Sequence, residues 1–158
     1  MLSVFVLALI LVAAATLAAL VVRRRFVIVT VSGTSMTPAL RPGDRVLVRR
    51  GTSQRLRPGT VVVVRQPDDG CRAPGGSRPD RGRGWVIKRV AAADGDTVPE
   101  SVRPAVSGAR VVPSGKLVVL GDSDSSADSR VWGFYVTSQV LGAVVARLAG
   151  APDRREKI

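Results

Sequence analysis

An uninterrupted apolar run opens the chain and differs from everything that follows it. Residues 2–22 contain no charged side chain, and Ser3 and Thr16 are the only polar residues among them. As a helix this run would span roughly 30 Å, the thickness of the hydrocarbon core of a bilayer. It is longer than the apolar region of a cleavable signal peptide, and no basic residues precede it. The pattern therefore predicts a single transmembrane anchor over residues 1–22.

Beyond the anchor the pattern changes to short β-branched runs, each introduced by a Pro-Gly turn. This motif occupies residues 41–48 and 57–64, and a looser copy occupies residues 113–120. Pro-Gly favours a tight turn, and Val-rich runs favour strands. No long amphipathic helix is evident, and residues 140–148 fit either a last strand or a helical turn. The sequence therefore predicts one mainly β domain over residues 23–150.

Two segments are predicted to lie outside the packed domain. Residues 66–84 are rich in Gly, Pro and Arg, which indicates a flexible surface loop. An RNA-binding arginine-glycine tract is the alternative, but the loop is short and lacks interleaved aromatics. The charged tail at residues 151–158 is expected to fray. The single cysteine, Cys71, excludes an internal disulfide and a multi-cysteine zinc site, and we expect no metal ion or cofactor.

The charge of the chain bears on its partners. The formal net charge is +12, which is compatible with nucleic-acid binding, but aromatics make up only 4% of the residues and the arginines are scattered. We therefore expect no nucleic-acid partner and instead a basic surface that lies on anionic membrane lipid. The arginines at 23–25, directly after the anchor, would place the β domain in the cytoplasm by the positive-inside rule.

The candidate chemistry is constrained by the complete absence of histidine. Ser35 lies in the segment Ser-Gly-Thr-Ser-Met-Thr-Pro at residues 32–38, but a serine hydroxyl needs a base to become a nucleophile. A Ser-His-Asp triad is impossible here, and arginine cannot serve because it does not lose its proton. Lysine is the remaining obvious candidate, and the chain has three: Lys88, Lys116 and Lys157. Taken alone, the serine segment also fits an ordinary turn before proline.

Lys88 is the lysine whose surroundings suit a base. It lies in the apolar run at residues 85–90, and in a strand it would share a face with Val86 and Val90. Burial among such side chains disfavours the charged form and lowers the pKa of a lysine from its usual value of about 10.4. The alternative is that the amine reaches solvent while its stem covers the sheet.

A third segment, residues 121–130, alternates Asp and Ser. The pattern suggests a calcium loop, but an EF-hand needs Gly at its sixth position and Glu at its twelfth, where this chain has Ala127 and Gly133. We therefore reject calcium binding. The loop instead offers small hydroxyls to orient a buried amine, and Asp128 with Arg130 forms a pair that pins the backbone.

These segments, in this order after a membrane span, resemble the bacterial type I signal peptidase family, the Ser–Lys proteases of membrane export. The resemblance covers most of residues 32–142. It includes the serine segment at residues 32–40, the segment at residues 43–48, Lys88 with the following Asp-Gly-Asp turn, and residues 121–133. It implies a coiled, barrel-like antiparallel β domain. It also implies that Ser35 is the nucleophile, that Lys88 is the general base, and that Ser126 hydrogen-bonds the lysine amine.

The resemblance extends to the reaction and its setting. It implies peptide-bond hydrolysis through an acyl-enzyme, with the Ser35 N–H as oxyanion donor and a substrate bound as an added β-strand. The remaining implied site residues are, for the oxyanion and substrate, Gly33, Thr34 and Met36, and, in support, Asp122, Asp128 and Arg130. The implied partners are exported precursors with a small-x-small cleavage site, such as Ala-x-Ala. The implied location is the plasma membrane, single-pass, with an extracytoplasmic domain, which conflicts with the charge pattern.

Several departures from the family pattern leave alternatives open. Some members carry a hydroxyl two residues before the nucleophile, where this chain has Gly33, and the segment at 121–130 is one residue shorter than usual. A general signal peptidase is the first hypothesis. A maturation protease of the same fold that trims one dedicated leader is the second. The third is a catalytically silent, membrane-anchored binding domain.

Overall fold

The computed structural model describes residues 2–51, 56–67 and 84–148. A long first helix, α1 (Leu2–Arg25), contains the apolar run and continues three residues beyond the predicted anchor. Its stretch from Phe5 to Arg25 has a mean hydropathy of 3.0 and is long and apolar enough to cross a membrane. The arginines at 23–25 form its last turn, where positive charge suits the negative end of the helix dipole.

The rest of the described chain is built around one antiparallel sheet. Its strands are β1 (Phe26–Thr30), β2 (Arg45–Arg50), β3 (Val61–Arg65), β4 (Trp85–Ala93), β5 (Lys116–Leu120), β6 (Tyr135–Val136) and β7 (Val140–Leu148). Two short helical elements lie between strands: a 3₁₀ helix (Glu100–Val106) and α2 (Ser129–Trp132). A further single 3₁₀ turn (Thr137–Gln139) joins β6 to β7.

The spatial order of the strands is β1-β2-β7-β3-β4-β5-β6, and every neighbouring pair is antiparallel. The sheet forms a half-barrel, so the prediction of a mainly β, barrel-like antiparallel domain behind an apolar N-terminal helix is confirmed. The last strand settles the choice that the sequence left open, because residues 140–148 form β7 and pair with both β2 and β3. The last described strand therefore lies inside the sheet, between β2 and β3, and not at an edge.

The predicted Pro-Gly turns introduce strands as expected. Gly43 and Gly59 have φ angles of 92° and 90°, a region that only glycine occupies readily, and β2 and β3 begin two residues later. Most of the predicted loop at 66–84 and the whole tail at 151–158 lie outside the described residues.

Three clusters of buried side chains pack against the sheet, and alternate residues of β3 and β5 place them on both of its faces. One cluster, with Val62, Val90 and Tyr135, lies under the middle strands, and Val86 packs against it. A second combines β2 with Met36 and Leu40, which come from the segment between β1 and β2. The first cluster surrounds the strand that carries Lys88, and the second holds the segment that carries Ser35.

Candidate functional site

Lys88 lies in the middle of β4, directly opposite Val62 of β3. The alternation of the strand turns its side chain toward the protein interior, and only 2% of the residue is exposed. Its Nζ donates a hydrogen bond to Ser126 Oγ at 2.5 Å. The alternative in which the amine reaches solvent is therefore wrong.

The electrostatic surroundings of Lys88 favour its neutral form. Burial, the largest effect, lowers the pKa of Lys88 because an ammonium group loses hydration inside the protein. The carboxylate of Asp128 opposes this shift, and the positive charge of Arg130 adds to it. Asp128 is itself occupied, since its two oxygens accept hydrogen bonds from the Arg130 guanidinium and from backbone N–H groups. The amine is thus held by a neutral hydroxyl rather than by a carboxylate.

Ser35 lies on the segment between β1 and β2, residues 31–44, which we call the nucleophile segment. Ser35 is half-buried, whereas the next residue, Met36, is 1% exposed and packs in the core. The Ser35 carbonyl oxygen accepts a hydrogen bond from Ser123 N–H at 3.1 Å. Within the part of the chain that the structure describes, the Ser35 hydroxyl has no hydrogen-bond partner, so it remains available to a substrate or a base.

Gly121 is the position where the loop that carries Ser126 meets the segment that carries Ser35. A Cβ atom at this position would lie 2.1 Å from Ser126 Oγ and 2.6 Å from the Ser35 carbonyl oxygen. Both contacts are shorter than real Cβ atoms show, so only glycine lets the partner of Lys88 and the backbone of Ser35 approach the same place. Lys88, Ser126 and Ser35 are in this way brought into one neighbourhood.

The loop at 121–130 is fixed by two arginine–aspartate pairs. Arg89, next to Lys88 on β4, forms a bidentate pair with Asp122, at 2.9 and 2.7 Å. Asp128 is fully buried, caps α2 by accepting the Arg130 N–H, and also accepts the Gly121 N–H at 2.8 Å. The supporting aspartates therefore contact arginines and backbone rather than the lysine amine, and they hold Ser126 by holding its loop.

A narrow cleft of about 140 Å³ runs from β1 to the start of β4 and borders Ser35. The predicted site residues Gly33 and Met36 line it, whereas Thr34 is exposed and is not among the described residues that line it. The other lining residues are mostly apolar: Val29, Thr30, Val31, Ser32, Val63, Trp85, Val86 and Ile87.

Within residues 2–51, 56–67 and 84–148, no group of three or more Asp, Glu, His or Cys side chains could hold an ion.

Several residues that shape the site were not predicted from the sequence. Arg89 and Gly121 follow or begin predicted motifs, but nothing in their spacing reveals a close approach in space. Ser129 was not predicted either. It is fully buried, and its hydroxyl accepts the Val119 N–H of β5 at 2.9 Å. The signal that was available is the density of small residues at 121–129, which is typical of tight backbone packing.

Comparison with known proteins shows the family of the chain. The model of the signal peptidase family, peptidase S26, matches residues 2–102 and 99–149. The chain belongs to this family. The family resemblance inferred from its motifs is therefore confirmed.

A relative from Synechocystis sp. supports the same assignment. That protein carries the name "Probable signal peptidase I-1" and is 31% identical to this chain over 138 residues. The match covers 72% of this chain and 66% of the relative, just under two thirds of its length.

Proposed function

We propose that this chain is a membrane-anchored serine endopeptidase that removes signal peptides from exported precursors, with Ser35 as nucleophile and Lys88 as general base. The observation that carries the proposal is the buried amine of Lys88, which is 2% exposed and hydrogen-bonded to the Ser126 hydroxyl. Desolvation lowers the pKa of this lysine, and a neutral amine is what a serine nucleophile needs in a chain without histidine.

The proposed first step is attack by Ser35. Neutral Lys88 accepts the Ser35 hydroxyl proton while Oγ bonds to the scissile carbonyl carbon, which gives a tetrahedral intermediate with a negative oxygen. The protonated Lys88 then donates its proton to the leaving amine as the C–N bond breaks, and an acyl-enzyme remains. Ser126 supports this exchange because its hydroxyl fixes the amine in one orientation.

The proposed second step is hydrolysis of the acyl-enzyme. Lys88, again neutral, takes a proton from a water molecule that attacks the ester carbonyl. The second tetrahedral intermediate collapses, the Ser35 oxygen leaves with the proton returned by Lys88, and the acid product is released. The oxyanion in both steps is assigned to the Ser35 backbone N–H, because Gly33 offers no side-chain donor.

The substrate proposal rests on the sheet edge and the cleft. β1 is a terminal strand and pairs on one side with β2, so its other edge is open to an added peptide strand. The adjoining cleft is small and mostly apolar. An extended precursor with small side chains at alternate positions, the small-x-small pattern, would place those side chains in this cleft.

The membrane proposal rests on α1 and on charge. We assign α1 as a single-pass anchor in the plasma membrane with the β domain extracytoplasmic, against the charge pattern of residues 23–25. Strands β1, β2 and β7 contain no Asp or Glu. On β1 and β2, Ile28 and Leu47 lie on the outer face together with Arg45 and Arg49. An apolar strip between arginines suits contact with anionic lipid headgroups.

The test uses the full chain in detergent with a precursor that carries a small-x-small site. Wild type is expected to cleave at one bond, while Ser35→Ala and Lys88→Ala each lower the rate by at least about 1000-fold. Lys88→Arg is expected to be equally inactive, because it keeps the charge but cannot act as a base. Arg110→Gln, an exposed substitution away from the cleft, serves as the matched control.

The same assay separates the other hypotheses. A panel of unrelated precursors distinguishes a general enzyme, which cleaves most of them, from a maturation protease, which cleaves one. Binding of partners that survives in the Ser35 and Lys88 variants, with no cleavage by wild type, would instead identify a silent binding domain. Full activity of Lys88→Arg would overturn the mechanism.

A further inference from the structure

The nucleophile segment is closed at its base by backbone hydrogen bonds. Val31 N–H donates to the Asp44 carbonyl oxygen at 2.8 Å, and Gly43 N–H donates to the Val31 carbonyl oxygen at 2.8 Å. Residues 32–43 therefore leave the sheet between β1 and β2 and return to the place they left. Burial of Met36 and Leu40 fixes the near part of this excursion. The part after Leu40, residues 41–43, is exposed and is not held by the core.

Asp44 supplies a second closure through its side chain. The residue is 5% exposed, and its carboxylate accepts the Arg41 N–H at 2.7 Å and an Arg147 N–H at 3.0 Å. The hydrogen bond from the Arg41 N–H is the largest effect and lowers the pKa of Asp44. Burial opposes this shift, and the contact with Arg147 adds to it. The carboxylate therefore remains charged at neutral pH and keeps its need for a cation.

Arg147 reaches the segment from another strand. It lies on β7, opposite Val46 of β2, and its guanidinium also approaches the Ala39 carbonyl oxygen at 3.5 Å. Strand β7 pairs with β3, and β3 pairs with β4 where Val62 faces Lys88. A continuous ladder of strands thus connects Arg147 to the strand of the candidate base.

We propose that Arg147 is a positioning residue, which together with Asp44 fixes the nucleophile segment relative to the strand that carries Lys88. The proposal rests on the proposed Ser35–Lys88 chemistry and extends it to a residue 112 positions after Ser35 that carries no motif. Arg147 holds two points on the segment, Ala39 and Asp44, so it restrains both position and tilt.

The first test is kinetic and uses the full chain in detergent. Arg147→Gln is expected to lower kcat about tenfold while KM changes less than about twofold, because the cleft walls on β1, β3 and β4 stay in place while the attacking group is misplaced. Arg147→Lys keeps the ion pair but cannot span both contacts, so it should recover part of the loss. The pH at which activity rises should be unchanged, since the surroundings of Lys88 are untouched. Arg110→Gln is again the control.

A double-mutant cycle sharpens the result. Asp44→Asn with Arg147→Gln should be little worse than the poorer single variant, because the two side chains act as one unit. Wild-type kcat in Arg147→Gln, an equal loss in Arg110→Gln, or a shifted pH profile would overturn the proposal.

A second measurement does not depend on catalysis. Hydrogen exchange of the amides of residues 37–44 should be at least about tenfold faster in Arg147→Gln, while amides of β4 stay protected. This holds even if wild type cleaves no precursor, so failure of the proposed function and failure of the positioning role give different results. Unchanged exchange in the segment would refute the role outright.

Discussion

Lys88 and Ser35 lie in two regions that differ in solvent exposure: the region around Lys88 is enclosed, and the region around Ser35 is open. Lys88 lies on a central strand, and its partner Ser126 sits on a loop that two arginine–aspartate pairs hold in place. Ser35 lies on an excursion from the sheet edge, where the residues before and after the buried Met36 are half-buried or exposed. The proposed base must be shielded from water to stay neutral, whereas the proposed nucleophile must be accessible to a polypeptide. The two regions meet at Gly121, and variants at that boundary test the comparison most directly.

The largest effect is expected from Gly121→Ala. The added methyl group would overlap Ser126 Oγ and the Ser35 carbonyl oxygen, neither of which can move without displacing its own region. We expect kcat to fall about 100-fold or more, because both groups lose their alignment. Gly84→Ala is the matched control, since a Cβ there would meet only the Arg65 side chain at 3.6 Å. An active Gly121→Ala would show that the two regions are not tightly joined.

The next effect separates stability from activity at the enclosed region. The folded-state pKa of Lys88 lies below its unfolded value of 10.5, so between these two pKa values the unfolded chain binds more protons and stability rises with pH. Below both pKa values the buried charge costs the full difference. Lys88→Met should therefore be inactive yet melt a few degrees higher than wild type at neutral pH. The gain should shrink as pH approaches 10.5.

Thermal melts of both proteins across pH check this prediction. A Lys88→Met variant that melts lower than wild type at pH 7 would show that the amine is not a burden on the fold. In cleavage assays, the acid limb of wild-type kcat/KM should lie below the ordinary lysine pKa of about 10.4.

The smallest effect is expected at the open region, from Gly33→Ser. A Cβ at Gly33 would have no atom within 4 Å, and the residue lines the cleft. A hydroxyl there adds a donor for the oxyanion, so kcat should rise about three- to tenfold with little change in KM. Gly33→Ala tests whether bulk alone matters. Equal kcat in the Ser and Ala variants would place the oxyanion out of reach of this hydroxyl.

The sequence predicted the enclosed region better than the open one. Lys88 followed from the lack of histidine and from apolar neighbours two residues away, and its burial depends on strand alternation, which is local. The strand order was not predicted, because β7 inserts between β2 and β3 and nothing local specifies that pairing.

Long-range contacts account for the rest. Gly121 matters because two chain segments approach it, and Arg147 contacts a carboxylate 103 residues away. Neither residue differs from an ordinary turn glycine or a surface arginine in its local sequence. Such roles become visible only when the sheet has brought the segments together.

The direct passage from α1 into β1 has a consequence of its own, because Arg25 ends the helix and Phe26 begins the strand. If the helix is embedded in a bilayer, no flexible linker would separate it from the β domain, and the position of the domain relative to the membrane would be restricted. The five residues of β1 span roughly 17 Å, so the edge of β1 that is proposed to bind substrate would lie within a thin layer above the lipid. Under the proposed function, peptide bonds farther from the membrane surface would not be reached, whatever the side chains around them. Distance from the membrane would then limit which bonds are cleaved.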